Sequence, residues 1–155
     1  MKADTPRNER SQMPRGQSRQ THRILCVDDD RACLEARAAI LEDEGYYVTA
    51  VSCPLMALKC DVSKFDLAIL DFDMPALNGF QLLLSLRAAR ASFPIVLLSG
   101  MARDLPNDMR ILFSSCLDKG EPVPLFLNTV RSYLTAIPDP SSDGDARPLY
   151  RRHGS

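Results

Sequence analysis

Aspartates stand at the ends of two apolar runs in this sequence. The run RILCV is followed by Asp28 and Asp29, and the run LAIL is followed by Asp71 and Asp73. Converging carboxylates raise each other's proton affinity, so a cluster of them is unfavourable without a cation. Mg²⁺ resolves this conflict, because it prefers oxygen ligands from carboxylates, water and phosphate. If the two runs end at the same place, these residues predict a magnesium site.

Two further polar residues follow apolar runs in the same way. Ser99 ends the run PIVLLS, and Lys119 ends the short run SCLDK. A hydroxyl and an ammonium group can each hold an oxygen of a phosphoryl group, which leaves Asp71 as a nucleophile that forms an aspartyl phosphate. Taken singly, such residues are ordinary caps, turn residues or surface residues. Their shared position after apolar runs favours phosphoryl chemistry.

The apolar runs themselves are typical of buried β-strands, because they are short and rich in branched side chains. The predicted strands are residues 23–28, 46–51, 66–71, 94–99 and 115–119. Helical spacing of apolar residues predicts helices at 31–44 (Leu34, Ala38, Leu41), from Pro54, after Asn78 (Phe80, Leu83, Leu84), around 103–113 with an interruption at Pro106, and at 123–136 (Phe126, Val130, Tyr133, Leu134). Asp30 and Asn78 are the predicted N-caps.

Strict alternation of strands and helices predicts an α/β fold. Five strands separated by helices form a doubly wound parallel sheet with right-handed crossovers and helices on both faces. Ligands of such sheets bind outside the carboxyl ends of the strands. The unusual polar residues described above stand at those ends, so the fold predicts that they share one site.

The whole chain has 155 residues, which suits one domain. Its 45% hydrophobic and 25% charged residues are typical of a soluble protein, and no apolar run has the length of a signal or membrane segment, so we expect a cytoplasmic location.

The two ends of the chain differ in composition from its centre. Residues 1–23 carry six basic residues and two acidic ones. The polar composition predicts disordered tails at 1–21 and 137–155 around a domain at 22–136. Nucleic acid or an acidic partner is the alternative role for the basic tail.

The five cysteines are widely spaced, with no C-x-x-C pair and an odd total. This pattern favours small core residues in a reducing compartment over a metal or redox site.

Four motifs resemble the receiver domain of two-component response regulators. They are V-D-D at 27–29, L-D-F-D-M-P-x-x-N-G at 70–79, L-L-S-G at 97–100 and L-D-K at 117–119. The resemblance covers residues 22–136 and implies a flavodoxin-like sheet of order 2-1-3-4-5. The sequence resembles a stand-alone receiver of the chemotaxis-regulator type.

The resemblance also implies a role for each site residue and Mg²⁺ as the cofactor. The metal-binding set is Asp28, Asp29 as the direct ligand, Asp71 and the backbone carbonyl of Asp73. The phosphate-handling set is Asp71 as the phosphoacceptor, Ser99 as the switch hydroxyl and Lys119 as the ammonium that pairs with phosphate.

The implied function is a signalling switch and not an enzyme acting on a separate substrate. A sensor histidine kinase or a histidine phosphotransfer protein would phosphorylate Asp71. The phosphate would then alter a surface for an unknown downstream protein, or pass to another protein. We expect no DNA-binding domain and no membrane contact, because only a short polar segment follows residue 136.

Three departures from the family pattern affect the expected switch. Gly120 stands where the family usually has a proline with a cis bond, so we expect a looser loop. Cys116 stands where a switch aromatic is common, and Leu112-Phe113 replaces a small Gly-Ala pair.

These departures leave open an alternative function, a degenerate receiver that acts only as a scaffold. A haloacid-dehalogenase-type phosphatase is the other alternative, because Asp71-Phe72-Asp73 fits its D-x-D fragment.

Overall fold

The computed structural model describes residues 21–135, so the predicted tails lie, apart from Thr21, outside the described residues. A five-stranded parallel sheet forms the centre of this region, with strand order β2-β1-β3-β4-β5. The strands are β1 Arg23–Val27, β2 Tyr47–Val51, β3 Leu67–Asp71, β4 Ile95–Ser99 and β5 Ser115–Asp118. Both the predicted α/β class and the order 2-1-3-4-5 are confirmed.

Within the described part of the chain, five α-helices connect and follow the strands. They are α1 Arg31–Asp43, α2 Pro54–Ala57, α3 Gly79–Ala88, α4 Asn107–Arg110 and α5 Val123–Thr135, and a 3₁₀ turn covers Val62–Lys64. Within residues 21–135, no helix has the length and apolar character needed to cross a bilayer.

Side chains alternate between two cores along the central strands, as expected for a pleated strand. In β1, Ile24 and Cys26 face the layer of α1 and α5, whereas Leu25 and Val27 face the layer of α2 and α3. Every residue of β3 and β4 is buried, because helices cover both faces of the sheet. This double burial holds the strand ends in fixed positions, which is a requirement for a site built on them.

The two predicted N-caps are confirmed. The Asp30 carboxylate accepts hydrogen bonds from the backbone N–H groups of Ala32 at 3.0 Å and Cys33 at 3.2 Å. Asn78 and Gln81 form a reciprocal capping box at the start of α3. These caps satisfy free N–H groups in the first turns of α1 and α3. They also fix where α1 and α3 begin.

The prediction of which α3 residues face the core is partly wrong. Leu84 is 47% exposed, whereas Leu82 and Leu86 are fully buried and Leu83 is nearly so. The helix begins at Gly79, and each residue advances by about 100° around its axis, so Leu84 turns away from the sheet.

The predicted helix at 103–113 is also too long. Only Asn107–Arg110 is helical, directly after Pro106, and turns occupy most of the remainder. Proline has no N–H to donate and disfavours a helical residue before it, so the helix cannot extend back through Pro106.

The cysteines match their prediction only in part. All five are free, but Cys26 alone is buried and the other four are partly exposed. Four of them therefore lie near the edge of the core and not within it.

Candidate functional site

The parallel register brings the predicted site residues to one edge of the sheet. Val27 pairs with Leu70, and Ser99 pairs with Asp118. Because all five strands run in the same direction, the residues that end them lie at the same edge.

Three carboxylates meet at this edge. One oxygen from each of Asp28, Asp29 and Asp71 lies within 4.8 Å of the other two. Asp28 and Asp71 are buried, whereas Asp29 is exposed to solvent. Buried carboxylates in this arrangement are unfavourable unless cations balance them, and the oxygen ligands suit Mg²⁺. The exposed Asp29 leaves the cluster open to an ion that arrives with its water molecules.

Lys119 provides one balancing charge. Its Nζ atom lies 2.8 Å from Asp71 Oδ1 and 3.3 Å from Asp28 Oδ2. The contact with Asp71 is a short ion pair, and Oδ1 accepts no other hydrogen bond among the residues described. A buried carboxylate oxygen held by a single cation has lone pairs left for a metal ion or a reacting group.

Burial and charge shift the pKa of both partners upward. Burial is the main cause that raises the pKa of Asp71; Lys119 opposes the shift and the negative charge of Asp28 adds to it. Burial alone would lower the pKa of Lys119, but the contacts with Asp71 and Asp28 raise it overall. Lys119 therefore keeps its positive charge at neutral pH.

Arg37 is a member of the site that the sequence analysis missed. Its Nη1 atom donates to Asp28 Oδ2 at 3.0 Å from the inner side of α1. The signal was present in the sequence, because Arg37 lies three residues after Leu34 and four before Leu41. A charged residue inside a predicted apolar stripe indicates a buried partner.

Ser99 and Asp73 occupy contrasting positions. Ser99 is buried at the end of β4, and its hydroxyl oxygen accepts a hydrogen bond from Met101 N at 3.1 Å. Asp73 is exposed, and its carboxylate is outside the three-carboxylate cluster. Its predicted role depends on the backbone carbonyl, which stays a prediction.

The start of α3 packs directly against the end of β3. Gly79 N donates to Phe72 O at 2.9 Å, and a Cβ atom at Gly79 would lie 2.4 Å from the carbonyl oxygen of Asp71. No larger residue fits there without a shift of the backbone that carries Asp71. The glycine therefore sets the distance between this helix and the site.

The loop after β5 differs from the expected family form. No cis peptide bond occurs between residues 21 and 135, and Gly120 N donates to Asp118 Oδ1 at 2.9 Å. Cys116 is partly buried and its thiol lies 3.8 Å from Arg110 O, at the end of α4.

Comparison with known proteins identifies the class that this fold and site define. The family model for the response regulator receiver domain matches residues 24–119. This match covers more than half of the chain. The chain belongs to the response regulator receiver domain family of two-component systems.

Several known proteins share this domain. The sensor histidine kinase GacS of Pseudomonas protegens is 34% identical over 118 residues, which cover 74% of this chain and 13% of GacS. The response regulator SaeR of Staphylococcus epidermidis is 31% identical over 84 residues, covering 54% of this chain and 36% of SaeR. The chain therefore spans a small part of the relatives it matches.

Solved structures agree with the fold. The response regulator TrrA of Thermotoga maritima, in complex with Mg²⁺-BeF, has a TM-score of 0.68 and 26% identity over 74% of this chain and all of that one. A CheY-like receiver domain of Methylobacillus flagellatus has a TM-score of 0.66 and 25% identity, covering 73% of this chain and 98% of that one.

Proposed function

We propose that this receiver accepts a phosphoryl group on Asp71 with the help of Mg²⁺. The observation that carries the proposal is the Asp71 carboxylate, which is 1% exposed and lies beside Asp28, Asp29 and the Lys119 ammonium. Membership of the receiver family and the Mg²⁺-BeF complex of TrrA support it.

The chemistry follows from these positions. A carboxylate oxygen of Asp71 attacks the phosphorus of a phosphohistidine on the donor protein. The P–N bond breaks, its electron pair stays on the histidine nitrogen, and a proton from solvent completes the imidazole. Lys119 then pairs with a phosphoryl oxygen, and the Ser99 hydroxyl donates to another. Asp28, Asp29, Asp71 and the carbonyl of Asp73 would hold Mg²⁺, which would neutralise charge on the transferred group when bound.

The partners follow from the same chemistry. The donor is a sensor histidine kinase or a histidine phosphotransfer protein, because the relatives are sensor kinases and response regulators. The output is a changed protein-binding surface or a relayed phosphoryl group. That the chain acts as a stand-alone receiver stays a prediction.

The first prediction is covalent labelling at Asp71. Incubation with acetyl phosphate and Mg²⁺ should add one phosphoryl group, stable in acid and labile in base, that is lost in Asp71→Asn. Intact-mass spectrometry before and after base treatment measures it. Asp73→Asn is the matched control and should still be labelled, because its proposed contribution is a backbone carbonyl.

Two results would count against the proposal. Unchanged labelling of Asp71→Asn would move the phosphoacceptor elsewhere. No labelling of the wild-type protein, with its fold intact, would favour the degenerate scaffold.

A further inference from the structure

Arg37 places a permanent positive charge on one of the metal-site aspartates. Its guanidinium donates to Asp28 Oδ2 at 3.0 Å, and Lys119 Nζ lies 3.3 Å from the same oxygen. The Asp28 side chain is fully buried and the Arg37 side chain is 12% exposed. Two cations therefore share one buried oxygen.

The local sequence explains why an arginine reaches this position. Arg37 lies on the face of α1 that also carries Leu34, Ala38 and Leu41, all buried. Its aliphatic stem packs within this stripe while the guanidinium extends to the end of β1. The side chain also lines a cavity of about 210 Å³ between α1 and the β5–α5 region.

The contact between Arg37 and Asp28 changes the charge balance of the carboxylate cluster. The cluster holds three carboxylates, and the described side chains in contact with them supply two cations, Arg37 and Lys119. Most of the negative charge that would attract a divalent cation is thus already balanced. An ion that draws on Asp28 competes with Arg37 for this carboxylate, and repulsion between like charges a few ångströms apart is strong in a partly buried site.

We propose that Arg37 is a resident cation that competes with Mg²⁺ for Asp28 and thereby lowers the affinity of the site for divalent metal. The inference rests on the proposed magnesium site and goes beyond it, because it assigns a regulatory charge to a residue outside the phosphoryl-transfer machinery. Arg37 contacts Asp28 but not Asp71, so its removal leaves the pair of Lys119 and Asp71 in place.

The second prediction, which tests this inference, is that Arg37→Met tightens Mg²⁺ binding by about tenfold. Methionine keeps the apolar stem in α1 but removes the charge. Asp28 still accepts a hydrogen bond from Asp30 N at 3.0 Å and keeps its contact with Lys119, so its carboxylate retains partners. Isothermal titration calorimetry with MgCl₂ at fixed ionic strength measures the dissociation constant of the full chain.

Two matched variants separate charge from structure. Arg37→Lys keeps the charge, so its dissociation constant should stay within about threefold of the wild-type value. Arg131→Met removes another arginine–carboxylate pair, in which Arg131 Nη2 lies 2.5 Å from Glu44 Oε2, beyond the other end of α1. Its dissociation constant should equal that of the wild type.

Each outcome decides the question. A dissociation constant for Arg37→Met that is unchanged or larger overturns the inference while the magnesium site stands. No Mg²⁺ binding by either the folded wild-type protein or folded Arg37→Met overturns both. If Arg37→Met fails to fold, Arg37→Gln, which is neutral and polar, must show the same tightening.

Discussion

Asp71, the proposed phosphoacceptor, is a buried carboxylate, and its burial lowers the stability of the fold once the group is ionised. Burial is the main cause that raises its pKa above the ordinary range. A raised pKa in the folded state means that the folded protein binds the proton more tightly than the unfolded chain does. The contribution of this proton to the free energy of unfolding is fully present at pH below the unfolded pKa of about 3.9. It is lost as the pH rises through the folded pKa of Asp71. Above the folded pKa, the ionised group destabilises the fold.

The third prediction follows from this sign. Asp71→Asn should raise the free energy of unfolding at pH 7 without Mg²⁺ by on the order of 1 kcal/mol, because the neutral amide is easier to bury. The gain should shrink as the pH falls toward the ordinary aspartate pKa, since the wild-type group then becomes neutral as well. Urea unfolding over this pH range measures the difference.

Asp73→Asn is the control at the same strand end. Asp73 is exposed, so its replacement should change the free energy of unfolding by less than about 0.5 kcal/mol. A lower stability of Asp71→Asn at pH 7 would show that the ion pair with Lys119 outweighs the burial of the carboxylate.

The junction of β3 and α3 determines how closely the helix approaches the backbone of Asp71. The chain leaves Asp71, turns through residues 72–78, and returns so closely that Gly79 faces the Asp71 carbonyl. The fourth prediction is that Gly79→Ala lowers the free energy of unfolding by about 1–3 kcal/mol, because its Cβ forces the backbone apart. Thermal or urea unfolding checks this value.

Gly100→Ala is the matched control for that element. A Cβ atom at Gly100 meets nothing within 4 Å, so the same substitution should leave the free energy of unfolding nearly unchanged. Equal losses in the two variants would show that the close approach at Gly79 relaxes without strain.

All five strands were predicted from the sequence to within one residue, including the largely exposed β2, whereas the short surface helix α4 was not. The continuous apolar runs of β3 and β4 gave bounds within one residue, because helices cover both of their faces. The four-residue α4 is largely exposed, and no apolar stripe marks its ends.

The candidate site divides in the same way, into residues at strand ends that could be predicted and a residue on a helix whose contact could not. Asp28, Asp29 and Asp71 could be placed together because parallel strands end at one edge. The position of Arg37 in the apolar stripe of α1 was visible in the sequence, but its contact with Asp28 was not, because that contact depends on how α1 packs against β1.

At the scale of the molecule, the site lies where two cores meet. The layer of α1 and α5 and the layer of α2 and α3 share the strands β1, β3 and β4, and the carboxylates stand at the ends of β1 and β3. The ends of these strands hold their positions only while both layers are packed. Metal binding should therefore couple to unfolding of the whole domain, since the unfolded chain does not bring the three carboxylates together.

The fifth prediction is that Mg²⁺ raises the melting temperature. At ten times the dissociation constant, binding to the folded state adds about 1.4 kcal/mol, which corresponds to a rise of several degrees in a domain of this size. Differential scanning calorimetry with increasing MgCl₂, against NaCl of equal ionic strength, measures it. Asp29→Asn removes a proposed ligand that is exposed, so this variant should fold normally and lose most of the rise. An equal rise in Asp29→Asn would mean that Mg²⁺ stabilises the domain at another place or by screening alone.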